Sequence, residues 1–318
     1  VLRSVLRPVL LIAAVSVLAL SGCGRAGSQA GAPADGLKRY PLTGEVVSAD
    51  TTRNILIVQH EAVAGLMPAM TMEFAVAPGD AAIGKPGSRI RATLVQAKTG
   101  ELSLERIWPD DQLAKSRIEA AQKDLQQDTT IRGKGAYREI GESMPNFTLY
   151  DQDGKVVDAA SFHGKRVLLN FIYTHCPDPR MCPAATLKMI ATQKAAREAG
   201  ITDLQLISIT FDPETDTPGV LHSYAAGYGV DTSNFSFVTG PVPAVQNLLK
   251  QFGIEAEFVR IRSKGKLDEL RGMDPAIIKV GNERHMVVID GRIGQEYYLR
   301  DSNAPGMKVE WKAGELLD

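Results

Sequence analysis

The sequence predicts two domains of different class, a small all-β barrel followed by an α/β sandwich. Its 318 residues are too many for one small module and suggest about two domains. In the first half, short β-prone runs follow one another between turn residues. From about Met144 onwards, apolar runs alternate with helical segments, which indicates a second domain with a mixed sheet.

The first domain is predicted over residues 40–109. It holds five short β-prone runs, at residues 44–49, 55–59, 71–76, 89–95 and 102–107. Such spacing is typical of a small Greek-key barrel of the OB type. Asp110 is a suitable N-cap for a polar helix to about residue 127, and a charged, glycine-containing stretch follows. We therefore interpret residues 110–140 as a linker between the domains.

The second domain is predicted over residues 141–318. The predicted strands are 147–150, 156–157, 167–172, 204–210 and 235–239, the predicted helices are 183–200, 218–228 and 242–252, and a last hairpin covers 286–289 and 292–298. The continuous apolar run at 167–172 predicts a strand buried on both faces. Helices between parallel strands, with a closing antiparallel hairpin, indicate a thioredoxin-like α/β sandwich. Residues 255–281 fit no element and are predicted to be an insertion.

The N-terminal segment is predicted to direct export. Arg3 and Arg7 precede an apolar run of twelve residues, 9–20. Since a membrane-spanning helix needs about 20 residues, we interpret residues 1–22 as a cleaved signal peptide.

The end of this segment, Leu20-Ser-Gly-Cys23, resembles a bacterial lipobox. The resemblance implies that Cys23 is lipidated and anchors the protein to the extracytoplasmic, periplasmic face of a bacterial membrane. An ordinary signal peptide with an incidental cysteine is the alternative. Residues 23–39, rich in Gly, Ala and Ser, are predicted to be a flexible tether.

The charge is balanced, with 36 basic and 37 acidic residues, and no basic run predicts nucleic-acid binding. Loss of residues 1–22 would move the net charge from −1 to −3, because Arg3 and Arg7 leave with them. Composition therefore excludes nucleic acid as the expected partner.

A cluster of methionines points to metal chemistry in the first domain. Met67, Met70 and Met72 follow His60 closely, although the chain has only nine methionines. Thioether sulfur beside imidazole is the ligand set that Cu(I) prefers. Met70 and Met72 leave the same face of a strand, and His60 ends the strand before. The sequence thus predicts a Cu(I) site at one end of the barrel; methionine as core filler is the alternative.

Three motifs in this domain resemble the CusF family of periplasmic Cu(I)/Ag(I)-binding domains: Gly44-Glu-Val-Val, His60-Glu and Met67-Pro-Ala-Met-Thr-Met72. The resemblance covers about residues 40–109. It implies that His60, Met70 and Met72 are metal ligands, while Met67 occupies the place of the family's tryptophan. A cation–π lid over the ion is then replaced by a third thioether.

Cys176 and Cys182 form the only cysteine pair once Cys23 is set aside. They lie between an apolar strand and a helix, where backbone N–H groups and the positive helix end favour thiolate. A thiolate is both a Cu(I) ligand and the nucleophile of disulfide exchange. The alternative is a structural disulfide, although a short loop gains little stability from one.

Several motifs of the second domain resemble the Sco/SenC family of copper metallochaperones. They are Gly154-Lys, Phe162-His-Gly-Lys, Thr174-His-Cys-Pro-Asp, Cys182-Pro and Asp212-Pro-Glu-Thr-Asp-Thr-Pro218, within residues 141–298. The resemblance implies a thioredoxin-like fold and copper bound by Cys176, Cys182 and a distal histidine. It also implies a role in assembling the copper centre of cytochrome oxidase, as copper donor or thiol reductant. The family's usual spacing has three residues between the cysteines, against five here.

The distal histidine of that family falls on Asn282 when counted back from Asp290, and His285 lies three residues later. His285 is therefore the candidate third ligand, with a buried structural histidine as the alternative. His175 is expected to pack against or tune the thiolate, and His163 and His222 are expected on the surface or in turns.

The hypothesis from sequence is a lipid-anchored copper metallochaperone that collects Cu(I) in the barrel and delivers copper through the dithiol, which can also hold Cu(II). The receiving protein is expected to be a cytochrome oxidase subunit. One alternative is a thiol-disulfide oxidoreductase with Cys176 and Cys182 as its redox pair, which would make the protein an enzyme. Another is a periplasmic copper buffer for resistance. A peroxiredoxin-type peroxidase ranks low, because Thr174 stands only two residues before Cys176.

Overall fold

The computed structural model describes residues 37–133, 137–138, 142–176 and 178–254, and the backbone of residues 276–280, 285–293, 296–301 and 308–312. Residues 37–318 form one compact unit. The predicted signal peptide, Cys23 and nearly all of the predicted tether lie outside the described residues. Within the described part of the chain, no helix combines the length and apolar character that a membrane span needs.

The first domain is a closed five-stranded barrel. Its strands are β1 (Lys38–Asp50), β2 (Ile55–His60), β3 (Met70–Ala75), β4 (Arg89–Gln96) and β5 (Leu102–Pro109), in the order β1-β2-β3-β5-β4. Each strand contributes buried side chains, and Val46, Leu56, Phe74 and Leu94 fill the interior. One parallel pair, Ala75 with Ser103, closes the barrel. A short helix, α1 (Pro78–Ile83), connects β3 to β4. The predicted barrel is confirmed.

The helix that follows packs into the second domain. α2 (Gln112–Arg132) is capped by Asp111, whose side chain accepts hydrogen bonds from the backbone N–H groups of Leu113 and Ala114. Its buried face recurs at helical spacing, at Ala114, Ile118, Ala121 and Leu125. This face lies in the same core as strand and helix residues of the second domain. The segment predicted as a linker is thus largely an integral helix, because a narrow apolar stripe suffices to dock a mostly polar segment.

The second domain contains a five-stranded sheet with helices between parallel strands. Its strands are β6 (Thr148–Asp151), β7 (Val156–Asp158), β8 (Arg166–Ile172), β9 (Leu204–Thr210) and β10 (Phe235–Thr239), and its helices are α3 (Cys182–Glu198), α4 (Pro218–Gly227) and α5 (Val242–Gln251). The order is β7-β6-β10-β9-β8, with β8, β9 and β10 parallel. The predicted thioredoxin-like class is confirmed.

Three details of this domain differ from expectation. β8 lies at the edge of the sheet within the described residues, and Leu168 is exposed, so the strand is not buried on both faces. The last predicted hairpin is present as β12 (His285–Ile293) and β13 (Glu296–Asp301), but it belongs to a separate four-stranded antiparallel sheet with β11 (Ala276–Val280) and β14 (Lys308–Lys312). β11 also shows that the predicted insertion does contain a strand; residues 255–275 lie outside the described part.

Candidate metal centres

Pairing of β2 with β3 brings the imidazole and two thioethers of the first candidate centre onto one face. His60 stands opposite Met70, and Val58 stands opposite Met72. Directly opposed residues of antiparallel strands share a face of the sheet, and Val58 is fully buried. His60, Met70 and Met72 therefore lie on the inward face, at the barrel end where β3 begins.

His60 is held in a form that suits a metal ligand. Its ring is buried, 2% exposed, and packs edge-on to Phe74 at 5.8 Å between ring centroids. Nδ1 lies 2.7 Å from the carbonyl oxygen of Glu61. Because a carbonyl only accepts, Nδ1 carries the proton and Nε2 keeps its lone pair. Nε2 is buried without a hydrogen-bond partner. A histidine that donates one N–H to a carbonyl and leaves the other nitrogen free is the usual arrangement of a metal-bound histidine.

The three methionines differ in depth. Met67 and Met72 are half-buried against the barrel core, whereas Met70 is 47% exposed. Met67 is positioned by a tight turn, since it exchanges two backbone hydrogen bonds with Val63. Packing alone accounts for Met67 and Met72 but not for exposed Met70. The donor set of one unpartnered imidazole nitrogen with adjacent thioethers fits Cu(I).

The second candidate centre is the thiol pair. Cys176 follows β8 and is half-buried, whereas Cys182 is the first residue of α3 and is 5% exposed. Both are free thiols. A hydrogen bond from the Cys182 thiol lowers the pKa of Cys176 to about 6, helped by backbone hydrogen bonds from Cys182 and Asp178. The same contact, together with burial, raises the pKa of Cys182.

A buried polar network supports the segment that carries Cys176. Asp216 is completely buried and accepts hydrogen bonds from the Thr174 backbone N–H (3.1 Å), the Thr174 hydroxyl (2.5 Å) and the Thr210 hydroxyl (2.6 Å). The Thr174 oxygen lies 2.9 Å from Nδ1 of His175. Because the Thr174 proton goes to Asp216, that oxygen accepts from the imidazole. His175 is thus oriented by this network.

Sequence reasoning missed the roles of Thr174 and Asp216. Both stand in motifs that resemble the Sco/SenC family, and the hydrogen bonds that join them span 42 residues of sequence. The signal available was a polar Thr-His pair following a strongly apolar strand, which is where a buried carboxylate finds donors.

The third ligand of the thiol centre is not assigned. His285 opens β12, with its backbone opposite Val280; its side chain and all of Asn282 lie outside the described residues. Within the described ranges no group of three or more His, Cys, Asp or Glu side chains is close enough to hold a metal ion. His222 contacts Asp153 at 3.2 Å and is half-buried, and His163 ends a short 3-10 helix, Ala159–Phe162.

Two family models match the chain. The model described as SCO1/SenC covers residues 136–273, and the model described as copper binding periplasmic protein CusF covers residues 39–109. The first range includes the five-stranded sheet of the second domain, and the second range includes the barrel except its first residue, Lys38.

Individual relatives are similar to part of the chain. An SCO1 protein homolog of Bacillus subtilis is 31% identical over 151 residues, which are 48% of this chain and 71% of that protein. The mitochondrial SCO2 homolog of Bos taurus is 35% identical over 29% of this chain and 35% of its own length. Among solved structures, BsSco, a member of the Sco family of cytochrome c oxidase assembly proteins, is 27% identical, with a TM-score of 0.35, over 51% of this chain and 83% of its own.

Proposed function

The chain belongs to the SCO1/SenC family, and on that premise we propose that it is an extracytoplasmic copper-binding protein with two Cu(I) sites. His60, Met67, Met70 and Met72 bind one ion, and Cys176 and Cys182 bind the other. Copper is the cargo, passed to a cytochrome oxidase subunit during assembly of its copper centre. A lipid on Cys23 keeps the protein at the membrane surface, and His285 is the proposed third ligand of the thiol site.

One observation carries the proposal, namely the free, buried Nε2 of His60. A buried nitrogen without a partner costs about 1–3 kcal/mol, so a structural role alone gives no reason to keep it. Binding an ion beside the thioethers of Met70 and Met72 satisfies this nitrogen. If the methionines only filled the core, Nε2 of His60 would stay without a partner.

Anaerobic titration of the reduced protein with Cu(I), in competition with a chromophoric chelator, tests the proposal. We expect two equivalents in the wild type and one in His60→Leu. The double variant Cys176→Ser/Cys182→Ser should also bind one. A matched control, Met144→Leu, changes a half-buried methionine of the second domain's core and should keep both equivalents. Two equivalents in His60→Leu would refute the barrel site.

The geometry bears on how the two sites exchange copper. Met70 begins β3 and Ala75 ends it, so they stand about 17 Å apart along the strand. Ala75 lines a cavity together with His175, the neighbour of Cys176 in sequence. The thioether site therefore lies at the end of β3 that is remote from His175 and the thiol pair. This separation supports transfer of copper between two molecules.

Mixing two variants tests that route. Copper loaded on Cys176→Ser/Cys182→Ser should pass to the thiols of His60→Leu, at a rate that rises with protein concentration. The wild type, loaded at the barrel alone, should show the same dependence. A wild-type rate independent of concentration would instead indicate transfer within one chain.

A second candidate function is a thiol-disulfide oxidoreductase, favoured by the asymmetry of the thiols. Cys176 is the more exposed sulfur and the stronger acid, as an attacking thiol should be, whereas buried Cys182 suits the resolving thiol. Turnover of a model disulfide by the copper-free protein, abolished in Cys176→Ser, would favour this function. If the thiol pair does not exchange with the model disulfide, copper binding remains the proposed function.

A further inference from the structure

The barrel touches the second domain on both sides of one loop, residues 211–217, which we name the β9–α4 loop. On one side Arg106 of β5 donates from its guanidinium to the carbonyl oxygen of Glu214 at 3.0 Å, with the Glu214 carboxylate 4.0 Å away. Arg106 has φ of 53°. A non-glycine residue in this left-handed region is under local strain, which the contact with Glu214 helps to offset.

On the other side, α1 and α4 meet backbone to backbone at two glycines. A Cβ on Gly79 would lie 1.9 Å from the carbonyl oxygen of Gly219, and a Cβ on Gly219 would lie 2.1 Å from Oδ1 of Asp80. No side chain fits at either position without separating the helices. The barrel is therefore docked closely against the start of α4, and is not a freely swinging module.

Between these two contacts the β9–α4 loop carries Asp216, the acceptor that holds Thr174. Thr174 stands two residues before Cys176, and both of its donors, the N–H and the hydroxyl, point to that carboxylate. A continuous series of contacts therefore runs from Arg106 and Gly79, through the loop, to the turn that carries Cys176. A cavity of about 470 Å³, lined by His175, Thr217 and Asp80 among others, lies along this boundary.

We propose that the barrel is a built-in regulatory partner of the thiol pair: its docking on the β9–α4 loop fixes Asp216, and through Thr174 it holds Cys176 and Cys182 in their reduced, side-by-side arrangement. Release of the barrel frees the loop, weakens the hold on Thr174 and favours the Cys176–Cys182 disulfide, which forms by exchange with a small-molecule disulfide that is reduced to two thiols. Thr174 and Asp216 are positioning residues in this device. The proposal rests on the dithiol function proposed above, but it needs no copper for its test.

The first test uses two glycines of the same helix in the full chain. Gly219→Ala should displace the barrel, whereas Gly227→Ala adds the same methyl group where nothing lies within 4 Å. Hydrogen exchange of α1 reports docking, and equilibration with glutathione reports the constant for disulfide formation. We expect faster α1 exchange and an at least threefold larger constant in Gly219→Ala, with neither change in Gly227→Ala.

Arg106→Gly provides an independent release of the barrel. Glycine adopts the φ of 53° without strain, so the fold is retained while the contact with Glu214 is lost. The disulfide constant should rise in the same direction as in Gly219→Ala.

A double-variant cycle tests the path through Thr174. In Thr174→Val, which cannot donate to Asp216 through its side chain, adding Gly219→Ala should change the constant less than it does alone; Thr174→Ser should restore the full effect. A barrel released in Gly219→Ala with an unchanged disulfide constant would overturn the proposal, as would unchanged α1 exchange or full additivity with Thr174→Val. Because neither hydrogen exchange nor equilibration with glutathione involves copper, a failure of copper binding would leave these outcomes unaffected.

Discussion

A single thiol contact sets the chemistry of Cys176. The Cys182 S–H donates to it, and a negative sulfur accepts that hydrogen bond better than a neutral one. The pKa of Cys176 is thereby lowered to about 6. Cys176 is thus largely thiolate at neutral pH, while Cys182 keeps its proton. The same division of roles serves an attacking thiol and a soft metal ligand.

Replacing the donor should reverse this shift. In the reduced wild type, alkylation of Cys176 by iodoacetamide should rise with pH about a midpoint near 6, because only the thiolate reacts. In Cys182→Ala we expect the midpoint to move up towards the ordinary thiol value of about 8.5. Mass spectrometry of the alkylated peptide gives the rates. An unmoved midpoint would show that the backbone donors alone determine the pKa.

For single residues, the sequence predicts which side chains are candidate ligands better than it predicts their hydrogen bonds. Residue spacing predicts that Met70 and Met72 share a face, and the register of β2 and β3 adds His60. The free Nε2 could not be predicted, because it depends on where the carbonyl of Glu61 lies. The role of Asp216 was out of reach for a similar reason: its contact with Thr174 spans 42 residues of sequence and exists only in the folded chain.

Among the elements, α2 shows how a mostly polar segment becomes structural. One buried stripe, with Ile118 and Leu125 nearly inaccessible to solvent, joins it to the core that also holds Val245 and Leu248 of α5. The N-cap is Asp111, one residue after the predicted Asp110, and its carboxylate satisfies two of the N–H groups that a helix start leaves open. Capping therefore contributes to the stability of the second domain.

Asp111→Ala should lower the free energy of unfolding by about 1 kcal/mol, because the cap is lost. Urea denaturation followed by circular dichroism measures the change. Asp111→Asn should be close to the wild type, since asparagine caps equally well, and the exposed neighbour Gln112→Ala supplies a neutral control. A loss as large in Asp111→Asn as in Asp111→Ala would contradict the capping role.

Element boundaries were predictable where the hydrophobic period was regular. Four barrel strands, β2 to β5, and the strands and helices from 204 to 252 agree with expectation to within two residues, whereas β1 begins at Lys38, six residues before its predicted start. β8 was predicted to be buried on both faces because its apolar run is continuous, yet Leu168 is exposed, and in the described residues the strand pairs on one side only. An apolar run indicates that a strand favours burial, but it does not predict which strands and helices pack against it.

In the whole molecule, the junction between barrel and second domain encloses a carboxylate. Asp80 is 4% exposed, and its Oδ1 has no hydrogen-bond partner. Burial raises the pKa of Asp80 to about 7. The sequence predicted two domains but not their close docking, because Gly79, Asp80 and Gly219 look like ordinary turn and helix-start residues.

Asp80 should make stability depend on pH. Between about pH 4 and pH 7 the folded protein holds a proton that the unfolded chain, with an aspartate pKa near 3.9, has released. The unfolding free energy of the wild type should therefore fall as pH rises through this range. Asp80→Asn removes this component, so its advantage over the wild type should grow with pH, to about 4 kcal/mol at most.

Urea titrations of both proteins at several pH values measure that difference. Glu119→Gln is a suitable control, because Glu119 is an exposed residue of α2. A pH-independent difference between Asp80→Asn and the wild type would show that the carboxyl group is solvated in the folded protein.

The contact between Gly79 and Gly219 also constrains the evolution of fused chains. In chains that carry both domains, Gly79 and Gly219 should be conserved together, because each tolerates only the smallest residue while the other helix lies against it. In relatives without the barrel, selection for glycine at the position of Gly219 should relax, and larger residues should be found at the start of α4.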